Sequence, residues 1–427
     1  MISSTQADGR ELALGGVGAA TLAATYGTPL LAIDTDVFDA NVARFAAVGA
    51  ELGIEVAYAG KALLLVALAK RLASTPLGLD ICSLGELVTA ERAGFPRDRL
   101  TFHGCGKRDD ELQAAADGRV ARVVVDGREE LTRLAAVAHP DRPIAIVLRV
   151  NTGIAVHTHD YVRTGGENSK FGFALRDVDE AVAFALAQPG LRIIGLHSHL
   201  GSQIFDAAPF AENVRVLVEV GARLRARGAP CTELIAGGGF GVPAHRGDEP
   251  LDLATTLGAM AQAVAAESAR RRIAAPRLGI EPGRAIVAEA GTSLYRVVAV
   301  KTQGARRFAI VDGGLADNPR PALYDAYHEP QLAARPEPGQ PAAAVETTVC
   351  GRSCENDELV VARLPGDLRA GDLLALRTTG AYTYSMASNY NRFARPAVVF
   401  AGGGRHHLVA RRETVEDVLR NDVDATT

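Results

Sequence analysis

The sequence has no apolar run long enough to cross a bilayer. Its richest apolar stretch, residues 62–69, has the length of a helix in a protein core. It also has no excess of basic residues, because 46 lysines and arginines stand against 50 aspartates and glutamates, for a net charge of -4. These absences argue against a membrane protein and against a nucleic-acid-binding protein. We therefore expect neither a membrane nor a nucleic acid as a partner.

Cysteine is scarce as well, with five residues scattered over a chain of 427. An odd and scattered set is typical of reduced thiols, and the polar N-terminus does not resemble a signal peptide. With 48% hydrophobic and 22% charged residues, the composition is that of a folded globular protein. We therefore expect a cytoplasmic enzyme that is large enough for two domains.

Short apolar runs alternate with helical patterns through the first two thirds of the chain. The runs lie near residues 55–60, 78–82, 100–103, 121–125, 144–150, 193–199, 232–236 and 278–281. The helical patterns between them include residues 62–73, 85–94, 177–187, 208–227 and 251–272. This alternation predicts a parallel (β/α)8 barrel. An open doubly wound sheet is the alternative, but no Gly-x-Gly-x-x-Gly follows the first strand of the series.

The periodicity changes near residue 289. Short β-type runs follow, punctuated by glycine and proline, at residues 297–300, 308–311, 358–361, 373–376 and 397–400. We therefore expect a barrel over residues 36–289 followed by a second, all-β domain from residue 290 to 427.

In barrels of this kind the chemistry takes place at the C-terminal ends of the strands. Lys61 closes the first strand, and a lysine amine forms a Schiff base with an aldehyde cofactor once it has lost its proton. A solvated surface lysine is the ordinary alternative, because charged side chains are mostly exposed. Polar residues follow the other strands too, namely Asp80, Ser83, Glu86, His103, Asp126, Arg149, Asn151, His197, His199, Glu281 and Arg284.

The glycine run after the seventh strand narrows the choice of cofactor. Gly237, Gly238 and Gly239 stand where barrels often bind phosphate, although a plain tight turn has the same composition. With a Schiff-base lysine opposite, a phosphate site indicates pyridoxal phosphate. Glu281, after the eighth strand, is placed to keep the pyridine nitrogen of that cofactor protonated. Arg284 is suited to a phosphate or a carboxylate.

Several motifs resemble the fold-type III pyridoxal-phosphate-dependent decarboxylases over nearly the whole chain. In chain order they are YGTPLLAID, YAGKA, LGLDICSLGEL, HGCGK, HTHDYVRTGGENSKFG, GLHSHLGSQI, GGGFG, EPGR, DNPRPALYDAYHEP, CEND and GAYTYSMASNYN. HGCGK departs from the usual HGNNK, which leaves the role of Cys105 open. The resemblance implies a barrel, a β domain built from residues 1–35 and 290–427, and a homodimer.

The resemblance also implies roles for residues of the barrel. Lys61 corresponds to the lysine that binds the cofactor covalently, and His199 to the residue that stacks on its ring. Asp80 and Ser202 lie among the cofactor-binding residues. The glycines at 237–239 match the phosphate loop, and Glu281 matches the partner of the pyridine nitrogen.

Further roles fall on the β domain. Arg320 and Tyr324, together with Arg284, correspond to groups that bind a substrate carboxylate. Tyr382 resembles a tyrosine that contacts both cofactor and substrate. Cys354 and Glu355 match a pair that reaches into the active site of the neighbouring subunit, where the glutamate meets the distal amine of the substrate.

The implied activity is decarboxylation of meso-2,6-diaminopimelate to L-lysine and CO2, the last step of lysine biosynthesis. Cys354 or Lys61 would return the proton to the α-carbon, and the sequence does not choose between them. Alternatives are a related decarboxylase for ornithine, lysine, arginine or a carrier-linked amino acid, and a racemase or non-decarboxylating pyridoxal-phosphate protein. A metal-dependent hydrolase would use His157, His159, His197 and His199, but we expect no metal.

Overall fold

The computed structural model describes residues 11–154, 169–244, 248–336 and 342–424. These residues divide into two compact units. One consists of Asn41–Val242 with Glu249–Ile286, and the other consists of the described parts of Met1–Ala40, Pro243–Asp248 and Val287–Thr427. The finer domain limits at residues 36 and 289 stay a prediction. The loop over residues 157–172, with His157 and His159, lies mostly outside the described residues.

Parallel strands close into a barrel in the first unit. In chain order its strands are β1 (Ile54–Ala59), β2 (Gly78–Ile81), β3 (Leu100–Phe102), β4 (Arg122–Val125), β5 (Ile144–Asn151), β6 (Leu191–His197), β7 (Glu233–Ile235) and β8 (Arg277–Ile280). Each strand pairs in parallel with the next, and β8 pairs with β1, so the ring is closed. A short strand, Phe173–Ala174, adds to β5 in parallel. The predicted (β/α)8 barrel is confirmed.

Helix Thr35–Leu52 precedes β1, and a helix follows each barrel strand. The bounds of these later helices are Val66–Ala73, Leu84–Arg92, Asp109–Ala116, Arg128–Val137, Val178–Leu186, Ala208–Arg225, Leu253–Arg271 and Arg284–Val287, with short 3-10 turns at Gly60–Ala62 and Arg97–Arg99. Ser83 caps the helix after β2, where its hydroxyl accepts a hydrogen bond from the backbone N–H of Glu86 at 3.2 Å. The Glu86 carboxylate in turn accepts from the N–H of Cys82 at 2.6 Å. These two polar residues at a strand end therefore cap a helix.

The second unit contains a sheet built from both chain ends. Its strands are Leu30–Asp34, Gly291–Gln303, Arg306–Val311, Pro330–Ala334, Ala344–Cys350, Glu358–Pro365, Leu373–Arg377, Ala397–Gly402 and Arg405–Ala410. Strand Gly291–Gln303 is central, because it pairs antiparallel with Leu30–Asp34, Arg306–Val311 and Leu373–Arg377. Strand Leu30–Asp34, from the N-terminal part of the chain, thus enters a sheet whose other strands are C-terminal, as the resemblance implied.

Short elements complete this unit. They are the strand pair Ala13–Leu14 and Val17–Gly18, the helices Ala19–Tyr26, Arg320–Tyr324 and Val415–Leu419, and 3-10 turns at Tyr384–Met386 and Tyr390–Arg392. Apolar side chains cover both faces of the central strand, with Leu294 in one buried cluster and Tyr295 and Val297 in another. Successive residues of a strand point to opposite faces, which explains the division.

The interior of the barrel is filled by side chains. Val124, Ala145, Val147, Ile194 and Ile235, from four neighbouring strands, form a buried apolar cluster. The barrel is therefore a packed core that leaves the chemistry to its strand ends. Over the described ranges, we find no helix that is both long enough and apolar enough to span a bilayer.

Candidate active site

Lys61 lies in the 3-10 turn that follows β1, with its side chain exposed. A hydrogen bond and a close backbone approach fix this turn. The Tyr58 hydroxyl donates to the carbonyl of Leu63 at 2.9 Å, and a Cβ on Gly60 would come within 2.7 Å of the carbonyl oxygen of Asp80. The turn therefore requires glycine before the lysine, and it holds the backbone of Lys61 at the end of the strand.

A buried cluster of titratable groups lies at the ends of β2, β3, β6 and β8. Nε2 of His103 is 3.0 Å from Oε1 of Glu281, and Nε2 of His197 is 3.1 Å from Oε2 of the same carboxylate. Oδ1 of Asp80 lies 3.6 Å from the same Nε2 atom of His103. Both oxygens of Glu281 thus face an imidazole.

The cluster has an uneven distribution of charge. Burial raises the pKa of Glu281, but His103 and His197 outweigh burial and hold that pKa well below its usual range. Burial lowers the pKa of His103, but the charges of Glu281 and Asp80 outweigh it and raise the pKa to about 9. Burial dominates at His197 and lowers its pKa to about 4. At neutral pH the cluster therefore holds an ionised Glu281, a charged His103 and a neutral His197.

Asp80 and His199 complete the titratable groups of the barrel site. Burial and the charge of Glu281 raise the pKa of Asp80 to about 6. Burial, with the positive charges of Lys61 and Arg149, lowers the pKa of His199 well below its usual value. His199 therefore carries a neutral ring at neutral pH, and the amine of Lys61 lies close enough to influence it.

The glycine turn after β7 packs against the backbone on three sides. A Cβ on Gly237 would come within 2.6 Å of the carbonyl oxygen of Ser198, and one on Gly238 or Gly239 would overlap a neighbouring carbonyl. Gly237 and Gly239 also have φ values of 71° and 97°, in the region that favours glycine. The N–H of Gly238 donates to Nδ1 of His199 at 3.2 Å. Glycine is therefore required at all three positions.

The end of β8 lies between the ends of β1 and β7. The N–H of Ala59 donates to the carbonyl of Pro282 at 3.1 Å, and the N–H of Glu281 donates to the carbonyl of Gly237 at 2.8 Å. Arg284 begins the helix after β8 and donates to the Ser202 hydroxyl at 3.0 Å. The predicted residues of the barrel thus lie together at its C-terminal end, namely Lys61, Asp80, His199, Ser202, Gly237, Gly238, Gly239, Glu281 and Arg284.

The predicted residues of the β unit form two groups. The guanidinium of Arg320 is buried, 5.5 Å from the ring centroid of Tyr324 and 5.4 Å from that of Tyr382. Cys354 and Glu355 form a separate, exposed pair on the turn after strand Ala344–Cys350. Exposure argues against a buried structural thiol at Cys354.

The sequence placed His103 and His197 at strand ends but gave neither a part in holding Glu281. The only signal in the sequence was the position of each histidine at a strand end. The contacts with Glu281 themselves join strands that are far apart in the chain. Together with Glu281 their ligand atoms lie within 4.8 Å of one another, a spacing that also suits a metal ion. Arg149, another strand-end residue, lies 3.4 Å from Asp126 as a buried ion pair.

Comparisons with known proteins agree with this geometry. A family model described as the pyridoxal-dependent decarboxylase, pyridoxal binding domain, matches residues 39–288. Diaminopimelate decarboxylase from Actinosynnema pretiosum is 43% identical, with 98% of this chain and 94% of the relative covered. The enzyme of the same name from Bacillus subtilis is 39% identical, with 100% and 98% covered.

Solved structures give the same result. Diaminopimelate decarboxylase from M. jannaschii, in complex with L-lysine, superposes with a TM-score of 0.89 at 28% identity, covering 99% of this chain and 98% of that one. The Helicobacter pylori enzyme, also in complex with L-lysine, has a TM-score of 0.85 at 29% identity, with 94% and 98% covered. The similarity thus extends over both units.

Proposed function

We propose that this chain, which belongs to the pyridoxal-dependent decarboxylases and within them to the diaminopimelate decarboxylases, converts meso-2,6-diaminopimelate to L-lysine and CO2 with pyridoxal 5'-phosphate. The observation that carries the proposal is the buried carboxylate of Glu281 at the end of β8, which His103 and His197 keep ionised. When bound, pyridoxal phosphate supplies an electron sink for the carbanion that remains when CO2 leaves. The reaction belongs to lysine biosynthesis, and we place it in the cytoplasm.

The barrel residues fit this cofactor. The exposed amine of Lys61 would bind its aldehyde carbon, and the turn of Gly237, Gly238 and Gly239 would accept its phosphate. Without side chains, that turn lets a ligand approach the backbone closely. His199 lies against the glycine turn, since its Nδ1 accepts from the N–H of Gly238, while Ser202 contacts Arg284 and Asp80 lies next to His103.

Glu281 would hold the pyridine nitrogen of the cofactor in its protonated form. An ionised carboxylate favours the protonated form of a neighbouring pyridine, because opposite charges attract strongly in a buried site. Glu281 can do this only if it stays ionised despite burial, and its contacts with His103 and His197 meet that need. The neutral ring of His199 can pack against an aromatic cofactor without adding a charge.

The charges of the remaining residues match the substrate. Arg284 and Arg320 would bind carboxylates, because a guanidinium presents paired donors to two oxygens. Arg320 contacts the rings of both Tyr324 and Tyr382, which limits the positions that its guanidinium can take. The negatively charged Glu355 is suited to the distal ammonium group of diaminopimelate. We place Cys354 and Glu355 in the active site of the partner subunit of a homodimer.

A proton must return to the α-carbon after CO2 has left. The exposed thiol of Cys354 and the amine of Lys61 are the two donors that we propose. We propose a scheme without a metal, in which Glu281 would serve the pyridine nitrogen.

The test is to incubate the purified protein with meso-diaminopimelate in the presence and absence of added pyridoxal phosphate. We expect lysine and CO2 in equal amounts, with visible absorbance from bound cofactor. The Lys61→Ala variant is the control for non-enzymatic loss of CO2. A protein that stays colourless after cofactor is added, or that releases no CO2, would overturn the proposal.

A further inference from the structure

Two segments of the β unit lie side by side next to Glu355. We call residues 351–357 the CEND turn and residues 388–393 the Tyr390 segment. Three contacts join them in antiparallel order: the guanidinium of Arg352 lies 4.3 Å from the ring centroid of Phe393, the N–H of Cys354 donates to Oδ1 of Asn391 at 2.9 Å, and the hydroxyl of Tyr390 donates to Oε1 of Glu355 at 2.7 Å.

The Tyr390 segment is anchored at its back. The N–H of Ser388 donates to the carbonyl of Ala316 at 2.8 Å. The Asn389 side-chain amide donates to Oε2 of Glu413 at 2.6 Å and to the carbonyl of Phe393 at 2.9 Å. The position of Tyr390 is therefore fixed by contacts that do not involve the CEND turn.

The CEND turn is anchored on its other side by Asp357. This buried carboxylate accepts hydrogen bonds from the N–H of Leu315 at 2.6 Å and from the hydroxyl of Ser353 at 2.6 Å. A Cβ on Gly314 or Gly351 would overlap the Asp357 carboxylate, so both positions require glycine. The backbone of the turn is thus fixed, and the side chain of Glu355 is exposed on it.

The hydrogen bond from Tyr390 restricts that side chain. A free glutamate side chain loses rotamer freedom when it binds a ligand, and this loss weakens binding. The Tyr390 hydroxyl already binds one oxygen of the Glu355 carboxylate, so less rotamer freedom is left to lose when a ligand binds. The carboxylate of Glu355 raises the pKa of Tyr390, so the hydroxyl keeps its proton and remains the donor at neutral pH.

We infer that Tyr390 is a positioning residue that orients the carboxylate of Glu355 toward the distal ammonium group of the substrate. Through Glu355 it sets the preference for amino acids that carry a second amine. This inference rests on the proposed function, because that function gives Glu355 its ligand.

The test is the Tyr390→Phe variant of the holoenzyme, which removes the hydroxyl alone. We expect KM for meso-diaminopimelate to rise by about 3- to 10-fold with kcat changed less than about 2-fold, because a charge-assisted hydrogen bond that aids substrate binding is lost. With 2-aminopimelate, which lacks the distal amine, we expect parent and variant to have the same kcat/KM. Cofactor absorbance and thermal stability should be unchanged.

Two controls separate positioning from structural damage. Tyr26→Phe removes another hydroxyl of the same unit, one that lies 2.8 Å from Nδ1 of His406, and it should leave KM unchanged. In a Glu355→Gln background, Tyr390→Phe should add little to the rise in KM, because the two residues act through one interaction.

Parent-like KM and substrate preference in Tyr390→Phe would overturn the inference, as would effects of the Tyr390 and Glu355 changes that simply add. A parent enzyme that is inactive on meso-diaminopimelate would overturn the proposed function and this inference together. An active parent with an unaltered Tyr390→Phe variant would overturn the inference alone.

Discussion

Lys107 offers a quantitative test of how the HGCGK loop holds the site. Its ammonium is buried, with 1% of the side chain exposed, and lies 2.9 Å from Oε1 of Glu130, which is itself 5% exposed. It also donates to the carbonyls of Gly104 at 2.8 Å and Val124 at 2.7 Å. All three donors of the ammonium are therefore satisfied, and one of them holds the residue next to His103.

Lys107→Met should lower the stability of the protein substantially. Removing one partner of a buried ion pair costs about 3–5 kcal/mol of unfolding free energy, because the other charge stays buried and unpaired. For a domain of this size the loss corresponds to a fall in Tm of about 6–20 °C.

The loss should depend on pH with a defined sign. Burial raises the pKa of Glu130, and the charge of Lys107 opposes that rise. Without Lys107 the pKa of Glu130 rises further above its unfolded value. A carboxyl with a raised folded-state pKa favours the folded state at low pH. The deficit of Lys107→Met relative to the parent should therefore shrink as the pH falls from about 7 to about 5.

The assay is thermal unfolding of parent and variants at one protein concentration, one scan rate and a series of pH values. A second change, Glu130→Gln, should restore part of the Tm lost in Lys107→Met, because it removes the unpaired charge. A Tm of Lys107→Met equal to that of the parent would refute this reasoning. So would a deficit that grows as the pH falls.

Three further predictions concern the barrel site. Lys61→Ala should abolish CO2 release and the absorbance of covalently bound cofactor, measured by spectroscopy and trapping of CO2. Glu281→Gln should lower kcat by about 100-fold or more, because a neutral amide does not favour a protonated pyridine. Gly238→Ala should weaken cofactor binding by at least about 10-fold in a titration with pyridoxal phosphate, because the new Cβ overlaps the carbonyl of Glu281.

Each of these three predictions has a result that would contradict it. Wild-type turnover in Lys61→Ala would remove the lysine from the mechanism. An unchanged kcat in Glu281→Gln would show that the pyridine nitrogen needs no carboxylate. Parent-like affinity for the cofactor in Gly238→Ala would place the phosphate elsewhere. Circular dichroism of each variant checks that the fold is kept.

The barrel could be predicted because its strands are short, apolar and separated by helical patterns. The prediction was less accurate directly after Lys61, where the pattern indicated a helix over residues 62–73. The helix begins only at Val66, since the 3-10 turn Gly60–Ala62 and extended residues come first. Residues 62–66 are all apolar, so their periodicity cannot distinguish a helix from an extended chain.

The residues of the site could be predicted only where their position at the end of a strand was enough to place them in the site. Lys61, the glycine turn and Glu281 stand at strand ends, which a barrel brings to one face. The contacts of Glu281 with His103 and His197 could not be predicted, because they depend on how side chains meet across the closed ring. The bond between Tyr390 and Glu355 joins two irregular segments, and no sequence pattern marks it.

The most direct test of the account is a comparison of substrates. Release of CO2 from meso-diaminopimelate, L,L-diaminopimelate, ornithine, lysine and arginine would be measured as kcat/KM with the holoenzyme. We predict that meso-diaminopimelate is preferred over every other substrate by at least about 100-fold, because a substrate that leaves the groups of the site unpaired binds poorly. A higher kcat/KM for ornithine, lysine or arginine would contradict the account.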